Sequence, residues 1–287
     1  MLPFEENTAM QLQAFVPLVT YPDANTDEVA THVVSFAAGL GASIHALAIN
    51  VDIPDVSTAL SKILLDTPAM IRQAEAASRK RGEDLLSAVR AKASAAGVNA
   101  TTDHLAAPPA LLGDTAAMHA RYFDLSLLGW EPDNATSRMT AEAVVFGSGR
   151  PTILLPERSA VGTIDHVAIA WDGSRVAARA VADARFLLEH AERISVLTVP
   201  DEKPLKDKDV GNRLVEALGR HGLKAEAVLV NAEDCPIAET LQRSGIDRDC
   251  KLLVMGGYGH SRMRDFVLGG ATEGVLNDLL LPVLLSH

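Results

Sequence analysis

The chemistry of this chain is concentrated in residues 256–272, GGYGHSRMRDFVLGGAT. The glycines at 256, 257, 259, 269 and 270 let the backbone pass close to a ligand and permit positive φ where a side chain would clash. The apolar run Leu252, Leu253, Val254, Met255 directly before them reads as a buried strand, and helical character begins near Thr272. A strand, a glycine-rich turn and a helix N-terminus together present backbone N–H groups and a positive dipole end, which suits phosphate. His260, Ser261, Arg262 and Arg264 can add side-chain donors, and Gly270-Ala271-Thr272 would open the helix.

A second feature is the run Val167-Ala168-Ile169-Ala170-Trp171, which reads as a strand and leads into Asp172, Gly173 and Ser174. In a doubly wound sheet, ligands bind beyond the carboxyl ends of the strands where the strand order reverses. With the order 3-2-1-4-5, the strands ending at Ala170 and Met255 are neighbours, so Asp172 and the glycine-rich turn face one crevice. A carboxylate there can accept hydrogen bonds from ribose hydroxyls while the loop amides hold phosphates. Simpler readings stand beside these. Asp172-Gly173-Ser174 can be a helix cap, and Trp171 can serve the core or an interface as well as stack on a base. His260 has no companion at ligand spacing, so it reads as a solvated residue or a phosphate donor and not as a metal ligand.

The elements that must position these residues repeat within the chain. Apolar stretches at 15–19, 44–49, 124–128 and 152–155 are followed by a second series at 167–171, 194–199, 227–230, 252–255 and 283–285. The third strand of the first half is the least distinct and is placed at 101–105. Strands alternating with helical segments imply parallel sheets covered on both faces. The expectation is an α/β protein of two doubly wound five-stranded parallel sheets packed as a pseudo-dimer. Its domains are residues 1–158 and 159–287, with the join at 157–163, where Pro156, Ser159 and Gly162 interrupt the apolar pattern. Residues 70–96, with Arg79-Lys80-Arg81 at their middle, read as an amphipathic helix with a solvated basic turn.

Both halves end alike, on Pro151-Thr-Ile-Leu-Leu and Pro282-Val-Leu-Leu. Gly129 to Pro151 is 22 positions and Gly256 to Pro282 is 26, so the first half is four residues shorter across its loop. Trp130-Glu131-Pro132 there supplies bulk, negative charge and a missing backbone donor where the second half has glycines. The first half therefore reads as a copy that has lost phosphate binding.

Composition narrows the functional classes. A formal charge of −11, from 26 basic and 37 acidic residues, with no dense basic block, argues against nucleic acid as a partner. No apolar run approaches a membrane span, and Glu5 and Glu6 stand where a secretory signal would carry basic residues, so the expected location is the cytoplasm. Cys235 and Cys250 make neither a disulfide framework nor a four-ligand zinc site and read as reduced thiols. There is no G-x-x-x-x-G-K-S/T loop, and no nucleophilic triad or kinase signature is legible.

On these residues the C-terminal half resembles a universal stress protein domain of the ATP-binding kind, and the whole chain resembles a tandem universal stress protein. The family's phosphate motif is G-x-x-G, nine residues, then G followed by Ser or Thr. Gly256, Gly259 and Gly269 match it in identity and spacing, while Gly270 replaces the hydroxyl residue. The resemblance is strong over residues 167–285 and weak over 15–155. It implies that Asp172 contacts ribose, that Ala170 and the backbone of Val199 border adenine, and that ATP is bound, with or without Mg²⁺. It further implies that the fifth strands pair within one chain to mimic the family's dimer, and it allows a homodimer of such chains. The expected function is regulatory nucleotide binding. The alternatives are a scaffold that no longer binds nucleotide and a slow nucleotide hydrolase using a loop residue such as His260.

Overall fold

The computed structural model of the chain describes residues 11–54, 66–156, 163–200, 209–232, 235–257 and 270–287. Among the described residues the first half runs β1 (Gln13–Val19), α1 (Glu28–Leu40), β2 (Ser43–Val51), α2 (Thr67–Ala96), β3 (Ala100–Ala107), α3 (Leu112–Ala120), β4 (Leu125–Trp130), α4 (Ala135–Gly147) and β5 (Thr152–Pro156). The second half follows with β6 (His166–Ala170), α5 (Arg175–Asp183), α6 (Arg185–Leu188), β7 (Arg193–Thr198), α7 (Val210–Arg220), β8 (Ala225–Leu229), α8 (Ile237–Asp247), β9 (Leu252–Gly256), α9 (Gly270–Asn277) and β10 (Val283–Ser286).

Central strands read as unbroken apolar runs because both faces of the sheet are covered. Ile153 and Leu155 face one core layer with α1, α2, α5, α6 and α7, while Leu154 between them faces the other with α3, α4, α8 and α9. The helices carry apolar residues at three- and four-residue spacing, as in Val29, Ala30, Val33, Val34 and Ala37 of α1. The segment placed at 101–105 is β3 and runs longer, over Ala100–Ala107. Its weak sequence signal follows from its position at the sheet edge, where half of its residues are exposed and only Ala107 is buried.

The two expected five-stranded sheets are present and are joined through their fifth strands into one sheet of ten strands. The strand order is β3-β2-β1-β4-β5-β10-β9-β6-β7-β8, parallel within each half and antiparallel only at the centre. There β5 and β10 pair Leu154 with Val283, Ile153 with Leu284 and Thr152 with Leu285. Ile153 and Leu284 lie at the centre of a pseudo-two-fold, which turns what would be two exposed edges into ladder hydrogen bonds. The join expected at 157–163 falls almost wholly outside the described residues.

Leu154 is fully buried beside this junction, and Leu154→Ala should cost about 2–5 kcal/mol, read as a lower urea midpoint of the whole chain. Residues 1–156 and 163–287 expressed apart should associate through β5 and β10 in sedimentation experiments; two monomeric halves would argue against the junction as the interaction that joins them.

Candidate functional site

The crevice of the C-terminal half lies between the carboxyl ends of β6 and β9, which are neighbours through Val167 with Leu252 and Ile169 with Val254. Ala170 ends β6. Beyond it, Trp171 N–H donates to the Leu197 carbonyl at 2.9 Å and its indole Nε1 donates to the Val210 carbonyl at 3.0 Å. The ring packs against the core, so the indole ties β6 to the start of α7. Asp172 is exposed, and its Oδ1 accepts from the Ser174 N–H at 2.9 Å. Gly173 has a φ of 72°, which the sharp turn between them requires. Ser174 caps α5, its hydroxyl accepting from the Ala177 N–H at 3.2 Å. The cap reading of this tripeptide thus holds for Ser174, while the Asp172 carboxylate stays on the crevice surface.

The glycines do different work from one another. A Cβ on Gly256 would lie 2.6 Å from the carbonyl carbon of Val176 and 2.7 Å from the Ala177 nitrogen, so this glycine admits the first turn of α5 against the strand. Gly129 has the same task at the end of β4, where a Cβ would meet a methyl of Val29 in α1 at 2.5 Å. Gly257 donates its N–H to the Ser286 carbonyl at 2.7 Å and accepts on its own carbonyl from His287 Nδ1 at 3.0 Å. Gly270 opens α9, is exposed, and has no neighbour among the described residues within 4 Å of a built Cβ. Ala271 is half-buried, and Thr272, Met255 and Val199 are buried around the crevice. Gly259, His260, Ser261, Arg262, Arg264 and Gly269 lie outside the described residues.

The register of the sheet allows a position-by-position comparison of the halves. Ala14 pairs with Leu125 as Val167 pairs with Leu252, so five residues further on Val19 stands where Asp172 stands. Likewise Leu127 pairs with Ile153 as Val254 pairs with Leu284, so Trp130 stands where Gly257 stands. The next residue, Glu131, is only 8% exposed and turns back into the first half's crevice. Its Oε1 accepts from the Thr26 N–H at 2.6 Å, just before α1, and its Oε2 accepts from Asn25 Nδ2 and Asn134 Nδ2, both at 2.9 Å. Asn25 and Asn134 are held in turn: Asn25 Oδ1 accepts from Val19 N–H at 2.7 Å, and Asn134 Oδ1 accepts from Ser137 N–H at 2.8 Å as the cap of α4. A buried carboxylate at a helix N-terminus satisfies the donors an external anion would otherwise meet. Glu131 was legible only as bulk and charge, because its partners Asn25 and Thr26 are 106 and 105 residues away.

Other reactive groups point away from catalysis. Among the described residues no cluster of three His, Cys, Asp or Glu side chains could hold a metal. Burial pushes the Cys250 thiol up to about 11, which leaves it protonated and unreactive. His166, Ser195 and Glu226 form a chain in which the Ser195 hydroxyl donates to Glu226 at 3.1 Å and meets His166 Nε2 at 2.9 Å. Ser195 is fully buried, and its proton faces the carboxylate instead of a histidine base, so the chain serves to satisfy buried polar groups. Burial, ahead of the Arg193 charge, holds the His166 pKa below its ordinary value. No helix among the described residues is long and apolar enough to cross a membrane.

No family model matches the chain. In sequence it is 27% identical over 172 residues to a universal stress protein of Synechocystis sp., a match covering 56% of this chain and 57% of that protein. The chain therefore spans little more than half the length of this relative. In structure it resembles a universal stress protein from Archaeoglobus fulgidus, with a TM-score of 0.69, 18% identity and 95% of each chain covered. A putative universal stress protein from Pseudomonas aeruginosa follows at TM-score 0.54 and 14% identity, covering 95% of this chain and 92% of that one. The architecture is that of a doubly wound α/β protein with two copies of the universal stress protein fold joined through their fifth strands. The chain is thus similar to universal stress proteins in sequence over part of its length and in fold over nearly all of it.

Glu131→Ala should deprive the Thr26 N–H and the Asn25 amide of their acceptor, while the Asn134 amide keeps the Asp23 carbonyl at 3.0 Å, and cost about 1–3 kcal/mol in urea unfolding. Gly256→Ala should destabilise the fold before it affects any ligand, because its clash is with helix backbone; an unaltered melting temperature for Gly256→Ala would show that α5 can give way.

Proposed function

We propose that the chain is an ATP-binding universal stress protein with a regulatory, stress-response role and one nucleotide site, in the C-terminal half. Residues 159–287 form the nucleotide-binding domain in this reading, and residues 1–158 form its degenerate partner. The observation that carries it is the difference between equivalent positions. The first half has Val19, Trp130 and an inward carboxylate, Glu131, where the second has Asp172 and Gly257.

Asp172 would accept from the ribose hydroxyls, since its carboxylate is exposed at the carboxyl end of β6. Ala170 and Val199 would border the base. Gly257, Gly259, Gly269 and Gly270 would give the phosphates close backbone approach, with His260 as a donor and Ala271 and Thr272 in the turn that opens α9. Met255 and Gly256 would seat the loop on the sheet, and Trp171 would support Asp172 from behind through its bond to α7. The space at Gly270 accommodates the hydroxyl residue that the family pattern carries there. Binding without turnover belongs to this reading, and Mg²⁺ would arrive with the nucleotide. The cytoplasm is the proposed location, and homodimers of the chain belong to the same reading.

Titration calorimetry with ATP, ADP and AMP in the presence of Mg²⁺ tests it. The expected outcome is one nucleotide per chain and negligible phosphate release. Asp172→Ala should weaken affinity by about 1 kcal/mol, roughly fivefold, through one lost hydrogen bond. Gly270→Ser should tighten it. A stoichiometry near two would remove the asymmetry argument. No response to millimolar ATP from either the wild type or Gly270→Ser would leave the scaffold reading in its place.

A further inference from the structure

Where β4 and β5 end, the two halves stand apart around a cleft of about 460 Å³. The first half supplies Trp130, Pro132, Asp133 and Pro156 to its walls, and the second supplies Asp278, Leu279 and Leu280. The corresponding place in the second half is closed. By the register of the sheet Gly257 stands where Trp130 stands, and a Cβ on Gly257 would lie 3.5 Å from a methyl of Val145 and 3.8 Å from the Phe146 ring. The repeat of the fold therefore does not by itself demand an opening beside Trp130. Both walls of the opening are held from behind. Gln242, 1% exposed, donates from Nε2 to the Asp278 carbonyl at 2.7 Å and accepts at Oε1 from the Leu280 N–H at 2.8 Å. Opposite, the Asn134 N–H closes the turn through Pro132 and Asp133 on the Glu131 carbonyl at 3.0 Å. Walls fixed before anything enters lose little freedom on binding.

Three polar groups on these walls lack partners. Asp133 and Asp278 are exposed, and among the described residues neither carboxylate has a hydrogen bond or an ion pair. Among those residues no lysine or arginine lines the cleft. Arg138, which reaches the adjacent Asn277 at 2.7 Å, is held by Glu142 at 3.0 Å. The third group is the indole of Trp130, which borders the cleft, is 3% exposed and has no acceptor for its Nε1–H. The indole of Trp171, by contrast, gives its N–H to the Val210 carbonyl at 3.0 Å. An unsatisfied buried donor is unfavourable, and an acceptor brought in from the open side relieves it.

We propose that this cleft binds a small organic ammonium ion that carries an apolar body and a hydrogen-bond acceptor. The Asp133 and Asp278 carboxylates take the cation, Pro132, Pro156, Leu279 and Leu280 cover the apolar part, and the Trp130 indole N–H donates to the acceptor. Charge decides the sign of the occupant, since the walls bring two carboxylates and the chain as a whole carries a formal −11. A cleft of this size with mostly apolar walls and a few convergent polar groups suits a small molecule. The site is separate from the crevice between β6 and β9 and does not depend on the nucleotide reading.

The experiment titrates the full-length chain, without nucleotide, with phenylethanolamine as the probe, and follows the indole N–H signals by NMR. The chain has two tryptophans, so Trp171→Phe assigns the signal of Trp130. Phenylethylene glycol, which lacks the cation, and phenethylamine, which lacks the acceptor, are the comparison probes. Expected is a saturable downfield move of the Trp130 indole proton with phenylethanolamine, at a dissociation constant on the order of 1 mM. The glycol should bind roughly fivefold more weakly, and so should phenylethanolamine to the double variant Asp133→Asn with Asp278→Asn. Phenethylamine should bind without the downfield move, and Trp130→Phe should bind both amines alike. No saturable response to phenylethanolamine would overturn the proposal, as would a glycol that binds as tightly as the amine or a double variant as tight as the wild type. Saturable binding that leaves the Trp130 indole signal of the wild type in place would overturn it equally.

Discussion

The antiparallel pairing of β5 with β10 is the constraint on which the rest of this molecule depends. Three residue pairs join two parallel sheets into one of ten strands. Without that pairing each half would present an open edge at the middle of its apolar core, where unpaired backbone groups invite association. With it, the helices that flank β5 and β10 are brought to the same boundary, and α4 comes to lie against the second half. The junction is thus also the source of the only described contacts between α4 and the elements around the glycine-rich segment.

The two halves share one fold and differ at a few residues at the ends of strands. Gly129 and Gly256 stand at equivalent positions and serve equivalent packing, each admitting the first turn of a helix against a strand. One residue on, the halves part company, with Trp130 and Glu131 closing one crevice and Gly257 leaving the other without a side chain. A glycine in a ligand motif can therefore be required by the scaffold. At Gly256 the packing against α5 supplies the reason, whereas at Gly270 no described atom lies within 4 Å of a built Cβ.

Much of this was legible in the sequence because it depends on local patterning. Unbroken apolar runs marked the buried strands, and matching Pro-led endings marked the fifth strands of the two halves. Edge strand β3 was indistinct because an exposed strand needs no continuous apolar run. Trp130-Glu131-Pro132 announced that the first crevice differed, but not how, since Glu131 and its donors Asn25 and Thr26 meet only through the fold. Trp171 shows the opposite limit. Its place beside Asp172 invited a role in stacking, while its indole N–H is committed to the Val210 carbonyl, a residue 39 positions away.

The Glu131 network has a further implication for how the two halves work together. A carboxylate tethered to the chain is present at an effective concentration that no cellular condition alters. The first half is consequently held in one state, as a protein saturated with its own ligand would be. Across the shared sheet, Gly257 stands where Trp130 stands and brings no side chain of its own.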